Sequence, residues 1–497
     1  MSDFLIMGID LGTSVAKCVV FTSEGNEIAA TSVETEIIAD RKEYAEIDMD
    51  DLWNSTRHCI RQTIDKLPDG AEIQAIGVSG TASGLWMLDQ NRSPLRRAIL
   101  WNDGRAASLI AKWDSDGILE RVFEIGGNTV YPGYPVALAR WAKDNEPSLW
   151  NEAKYVLFNK DWIRLKLTGD FSSDISDLGY LPCDLPNKQY SNKIFELCGV
   201  SEIGDRLPPV KEPFDVAGYV QPDVAAELGI KPAIPVVTGL VDVAASTLGA
   251  GVYKPGEACT VLGTSIINSL ITALPVFEPI GVGINCPTVG SAFIRSLVNT
   301  AGTMNIDWIL KILDLRSNDI PGLESMVEKS TLGSGGLIYL PYLNTTGVVS
   351  PIVNPFARGT FTGLSLNHDR NDIARSVYEG LALSIADCYN NMPEKCERIT
   401  VCGGGSRSNL LLQMIADCTG IQVHAPEWSE FGARGTAILA GLAAGIFADL
   451  DTAVSTMVTP GKLISPDENN LNRYRVLYRN YVNLRDQMVG HWNYLGS

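Results

Sequence analysis

The chain has 497 residues, 45% of them hydrophobic and 20% charged; it is long enough for two or three domains, and disordered and fibrous classes are excluded. A formal net charge of −18 repels nucleic acid and anionic membrane surfaces, so neither is an expected partner, and any polyphosphate has to be gripped by backbone amides, a metal ion and a few lysines. Ten cysteines occur with no CxxC pair, and with no leader pattern and no apolar run of about 18 residues the expectation is a reduced, cytoplasmic protein.

The apolar run Leu5–Leu11 predicts a strand, Gly12-Thr13-Ser14 a turn, and Ala16–Phe21 a second strand; a third follows in IAATSVETEI. Asp48 predicts a helix N-cap with Asp51 at N3. Leu52, Thr56, Ile60, Ile64 and Leu67 then recur at helical spacing until the Pro68-Asp69-Gly70 stop. Ile73–Gly80 reads as a buried strand, and strands followed by a helix and a further strand indicate an α/β layered unit.

The pattern then restarts. After Gly239–Ala245, the segment Gly256–Ala273 again reads as strand, turn (Gly263-Thr264-Ser265) and strand. A strand at Ile399–Cys402 runs into Gly403, Gly404 and Gly405, then a helix through Leu410–Thr419; IQVHAP and a small-residue helix, Ala433–Phe447, complete the series. The period is too long for a solenoid, so the expectation is a duplicated domain, residues 1–247 and 248–497. Trp53, Trp141 and Trp308 are expected in the core, and the four histidines show no metal-ligand spacing.

The turns carry the chemistry. In DLGTS, Gly12 lets the backbone approach a ligand, the hydroxyls of Thr13 and Ser14 can meet phosphate oxygens, and Asp10 can hold Mg²⁺. One such turn alone reads as an ordinary hairpin; two can grip one polyphosphate from opposite sides. Val401–Asn409 adds a strand, three glycines and a helix start, suited to close approach of a flat or phosphorylated ligand. Asp242, in GLVDVAAS, is placed to act as a general base, or simply to N-cap a helix or form a domain-boundary salt bridge. No Walker or dinucleotide glycine motif occurs.

Together, GIDLGTS, AILWNDGRA, GLVDVAA, VCGGGSRSN and the long GTFTGLSLNHDRNDIARSVYEG, which includes Glu379, resemble the FGGY carbohydrate kinases, sugar and polyol kinases of the actin-like, ribonuclease-H-like ATPases. The resemblance implies an α/β protein of two actin-like (ribonuclease-H-like) domains with a cleft between them, and transfer of the γ-phosphoryl group of ATP to a sugar hydroxyl with Mg²⁺. It implies Asp242 as catalytic base and Asp10 as metal holder. Thr81, Ser83, Trp101, Asp103 and Arg105 join Asp242 on the sugar; the alternative for the last three is a structural turn, with Trp101 in the core and Asp103 and Arg105 as a local ion pair. Thr13, Ser14, Lys17, Gly263, Thr264, Gly302, Gly403, Gly404, Gly405 and Asn409 are expected on ATP.

Three departures bear on the substrate. GTASG (Gly80–Gly84) stands where similar xylulose kinases carry Gln-Met-His-Gly, so an imidazole is missing; Leu138 replaces a lysine, and PYLNTTGVVSP replaces a Gly-Glu-Arg stretch. These shift the expectation from D-xylulose to L-xylulose-like keto sugars. The alternatives are a polyol kinase of the erythritol or glycerol type, or a non-catalytic sugar- or nucleotide-binding regulator. A homodimer is an assembly left open.

Overall fold

The computed structural model describes residues 4–181, 183–427, 429–459 and 461–496. The chain forms two compact units, one of residues 1–253, 273–294 and 430–459, the other of 254–272, 295–429 and 460–497.

In the first unit, β1 (Leu5–Leu11) is buried at every position except Asp10, which is partly exposed. β1 pairs antiparallel with β2 (Val15–Thr22), and β2 with β3 (Glu27–Glu34). Helix α1 (Met49–Ile64) starts where the sequence places it: Asp48 accepts hydrogen bonds from the Asp50 and Asp51 amides at 3.0 and 3.1 Å. It ends at Ile64, leaving Leu67 beyond the helix. Leu52, Trp53, Thr56 and Ile60 are buried, and Leu52, Trp53 and Ile60 join the sheet's apolar core, where each large side chain contributes about 1.5–3 kcal/mol.

The chain returns through β4 (Ile73–Gly80), parallel to β1. Helix α2 (Asn159–Thr168) follows, then β5 (Val216–Tyr219), β6 (Pro235–Val237) and the two-residue β7 (Leu240–Val241), which leads directly into α3 (Asp242–Gly249). The sheet order is β5-β6-β4-β1-β2-β3, with β7 also parallel to β4. The three-strand meander, the helix and the further strand are as expected from the sequence; β4 and β6 continue the sheet in parallel, and β5 closes its edge antiparallel to β6.

The second unit repeats it. β8 (Ala258–Leu262) pairs antiparallel with β9 (Ile266–Thr272), which neighbours β10 (Phe293–Asn299). On the other side of β8 lies β11 (Arg398–Cys402), parallel, followed by β12 (Gln422–Ala425), parallel to β11. Behind them runs α4 (Arg370–Asn390), whose N-terminus carries a reciprocal Asp369–Asp372 capping box. Helix α5 (Asn409–Thr419) packs against α4.

The division differs from the single cut expected at 247/248. Helix α6 (Phe431–Ala443), late in the chain, belongs to the first unit, and after it β13 (Lys462–Ile464) joins β12 in the second. The reason is steric. A Cβ on Gly8 would lie 1.9 Å from the Ala433 carbonyl oxygen, on Gly77 2.1 Å from that of Thr436, and on Gly249 1.9 Å from that of Phe431. On α6 itself, a Cβ at Gly435 would lie 1.9 Å from the Ala245 carbonyl oxygen. The helix is seated by glycines on β1, β4 and α3, closer than any side chain permits. Of the three tryptophans expected inside, Trp53 is buried, while Trp141 and Trp308 are half-buried.

Candidate active site

Asp10 stands near the C-terminal end of β1, level with Lys17 on β2 and Ser79 on β4. The Ser79 hydroxyl donates to Asp10 Oδ1 at 2.7 Å. The first turn of α6 abuts the carboxylate: a Cβ on Gly432 would fall 2.4 Å from Asp10 Oδ2. Burial holds the Asp10 carboxyl above the ordinary carboxylate range; the Ser79 bond and the Lys17 charge oppose this, and the Glu430 charge adds to it. Lys17 forms an ion pair with Glu430, the residue before α6, at 3.0 Å. Sequence reading missed Glu430 because it lies 413 positions from its partner.

Asp242 is the first residue of α3, one position after the N-cap Val241, so it begins the helix without capping it. Its Oδ1 accepts from the Val243 amide at 2.8 Å. Leu240 on β7 and Asp10 on β1 flank Ser79 of β4 in register, so both carboxylates stand at the same edge of one sheet. Burial, then the charge of Asp10, push Asp242 up to about 7, against the backbone hydrogen bonds that favour its ionised form. A half-buried carboxylate raised to that range suits general-base work at neutral pH.

Just past β4, Thr81 accepts a hydrogen bond from Asn159 Nδ2 at 2.8 Å. Ser83 adopts φ +66°, an uncommon conformation for a residue with a side chain, and its hydroxyl lies 2.8 Å from the Tyr131 hydroxyl. Burial, and secondarily the Asp242 charge, push Tyr131 up to about 12, which places this phenol within the field of Asp242 as a neutral donor. The sequence offered no signal for Tyr131 beyond the turn-forming YPGYP.

Trp101 is 42% exposed rather than core, and its indole N–H donates to the Thr13 hydroxyl at 2.9 Å. Asp103 and Arg105, expected on the sugar or as a local ion pair, do form that pair. Asp103 Oδ2 accepts from the Ala45 amide at 2.7 Å and from Arg105 Nη2 at 2.9 Å, while Oδ1 accepts from the Arg105 amide and Nε. Arg105 also donates to Glu46 and lies over the Tyr44 ring. Both are buried and support the segment bearing Trp101, with Arg105 Nη1 left without a hydrogen-bond partner.

In the first hairpin the Gly12 amide donates to the Val15 carbonyl at 2.9 Å, and Thr35 fixes the turn through the Ser14 carbonyl; Ser14 itself is exposed. The second hairpin is one residue shorter, the Gly263 amide donating to the Ser265 carbonyl at 3.0 Å, with Thr264 exposed. Gly302 donates to the Thr264 carbonyl at 2.7 Å, and a Cβ on it would lie 2.6 Å from the Gly263 oxygen. Gly403, at φ +88°, and Gly405 both pack on Leu262, whereas a Cβ on Gly404 would meet nothing within 4 Å. Five of the residues expected on ATP, Gly263, Thr264, Gly302, Gly403 and Gly405, therefore converge in the second unit, with Gly404 on the open side. Asn409, exposed at the start of α5, accepts from Lys462 at 3.4 Å.

Two units of the same strand order, each with a short glycine turn between its first two strands, define an actin-like, ribonuclease-H-like two-domain protein. The N-terminal domain model of the FGGY family of carbohydrate kinases matches residues 5–249 and the C-terminal domain model residues 258–444. The chain belongs to that family. It is 28% identical over 484 residues to the probable L-xylulose kinase of Pasteurella multocida, covering 96% of this chain and 98% of that one. It is 29% identical over 521 residues to the erythritol kinase of Brucella abortus, covering 99% and 98%. The structure of gluconate kinase from Lactobacillus acidophilus shares the fold, with a TM-score of 0.93 at 22% identity over 99% of this chain and 100% of that one. The protein is an ATP-dependent carbohydrate kinase, a phosphotransferase with an alcohol group as acceptor.

Proposed function

We propose that the acceptor is a small ketose of the L-xylulose type and that Asp242 removes the proton from the attacking hydroxyl. The observation that carries this reading is the carboxylate of Asp242, raised to about 7 beside Asp10 at one sheet edge. As the hydroxyl oxygen bonds to the γ-phosphorus of ATP, its proton passes to Asp242 and the bond to the bridging β–γ oxygen breaks, releasing ADP. Thr81, Ser83 and Tyr131 present hydroxyl groups suited to a polyhydroxylated acceptor. In the second unit Gly263, Thr264, Gly302 and the Gly403–Gly405 loop offer amides and open backbone to the nucleotide, with Asn409 nearby; in the first, Thr13, Ser14 and Lys17 are suited to its phosphates.

Asp10 fits a Mg²⁺ ion. Only its Oδ1 is taken up by Ser79, and Gly432 leaves room where any side chain would displace the carboxylate. A bound Mg²⁺ would neutralise phosphate charge there. The erythritol kinase likeness favours a polyol as the second reading. Ten free, buried cysteines support a reducing, cytoplasmic setting, and among the described residues no helix is long and apolar enough to cross a membrane.

The test is coupled ADP release against L-xylulose, D-xylulose, erythritol, glycerol and gluconate. L-Xylulose is expected to give the highest kcat/KM, and Asp242→Asn to lower kcat roughly 10²–10⁴-fold with the fold intact. Turnover of none of the five, or undiminished turnover by Asp242→Asn, overturns the assignment.

A further inference from the structure

A buried polar network lies behind β7, and none of its members belongs to the site described above. Lys160 and Arg164 on α2 meet Asp161, Asp174 and Asp177, and all five are buried. Lys160 Nζ contacts Asp174 Oδ2 at 2.6 Å, Asp161 Oδ1 at 3.1 Å and Asp177. Arg164 Nη2 donates to Asp161 Oδ1 at 2.9 Å, while Nη1 donates to the Thr238 carbonyl just ahead of β7. Asp174 Oδ1 accepts from both the amide and the hydroxyl of Ser176.

That hydroxyl has a second partner: Ser176 Oγ accepts the Val241 amide at 2.9 Å. Val241 is the last residue of β7, and Asp242 follows it. Strand β7 is only two residues long, parallel to β4 at Leu240–Ser79 and Val241–Gly80. So short a strand has little ladder of its own to fix its direction. Arg164 holds the carbonyl before it and Ser176 the amide at its end. The partner strand β4 also carries Ser79, which holds Asp10.

The ionic groups make the hold stiff. A serine hydroxyl that must donate to a carboxylate, itself fixed by a buried ammonium, has one rotamer open to it, and its lone pair then faces the Val241 N–H. We infer that Ser176 is a positioning residue: anchored by Asp174 and Lys160, it fixes the Val241 amide and thereby the direction in which α3 presents Asp242. This rests on Asp242 being the base.

Loss of the hydroxyl frees the β7–α3 corner by a fraction of an ångström. Misplacement on that scale reduces turnover more than binding. Ser176→Ala is therefore expected to lower kcat roughly ten- to a hundredfold, with the acceptor Kd by calorimetry changed less than about twofold. Ser176→Thr, which keeps the hydroxyl, is expected to restore most of the rate, and hydrogen exchange of the peptide containing Val241 to quicken in Ser176→Ala alone. The acceptor is whichever of the five compounds above gives the highest kcat/KM.

Unchanged kcat in Ser176→Ala, or a fall in kcat matched by a rise in Kd of similar size, overturns the inference. Should Ser176→Ala fail to fold, Ser176→Cys, of nearly the same volume, takes its place with the same outcomes. Asp242→Asn, assayed alongside, separates the two assignments. If it loses turnover while Ser176→Ala does not, only the positioning role fails. If it keeps turnover, the base assignment fails, and exchange at Val241 still reports whether Ser176 holds the corner.

Discussion

Asp242 carries two opposed effects of one carboxylate. As a base it must be ionised, so kcat/KM is expected to fall below an apparent pKa of about 7 on the acid side, measured from pH 5 to 9. For stability the sign is reversed. A carboxyl held above its unfolded value binds its proton more tightly when folded, so that contribution is present at low pH and is lost as pH rises through about 7. Removing the charge should then stabilise the protein at high pH, by about 1–3 kcal/mol after allowance for partial exposure. Asp242→Asn is expected to raise Tm at pH 8 and to raise it less at pH 5; an equal or absent gain at both values counts against the buried charge. At this scale the backbone around Asp10, Asp242 and the glycine turns was legible in the sequence, because each sits in a short motif whose demands are local. Tyr131 and Glu430 were not, nor was Ser176 behind β7, since topology alone brings them beside these residues. For Asp103 and Arg105 the motif suggested the ion pair that the structure contains, but not the Ala45 amide and Glu46 that join it from another segment.

Among the elements, β1 and α1 fall where apolar runs and the Asp48 cap put them, because hydrophobic period and capping are properties of consecutive residues. Helix α6 was also visible, as a run of small residues, but its destination was not. Small residues state that something comes close without stating what. The glycines of β1 and β4 give the complementary half of that message, and Gly8→Ala tests it. The new methyl would meet the Ala433 carbonyl, which is backbone and cannot rotate away. A loss of about 3 kcal/mol or more is expected in urea unfolding. Gly404→Ala, where open space surrounds the added carbon, is expected to leave stability within about 0.5 kcal/mol and to raise the KM for ATP. A stability loss at Gly404 equal to that at Gly8 contradicts the distinction.

For the molecule as a whole, the duplication was readable because the strand-turn-strand pattern recurs, and both units do have the same strand order. The interleaving was not readable, since no local pattern marks where a chain crosses back. It has a direct test. Residues 1–253 expressed alone lack α6 and leave Gly8, Gly77 and Gly249 without the helix they accommodate. That fragment is expected to be insoluble or expanded by size-exclusion chromatography, and to gain compact far-UV and near-UV dichroism when residues 430–459 are fused to its C-terminus through a flexible linker. A compact, cooperatively unfolding 1–253 fragment contradicts this.

The return of α6 also bears on how the protein is born. Translation runs from the N-terminal side, and Glu430 lies 177 positions after Tyr253. At about 5–20 residues per second, the ribosome needs roughly ten to thirty-five seconds to cover that distance. Throughout this interval the N-terminal sheet is made but lacks the helix that completes it, and its apolar floor is open to chaperones or to other nascent chains. The half synthesised first is thus among the last to mature.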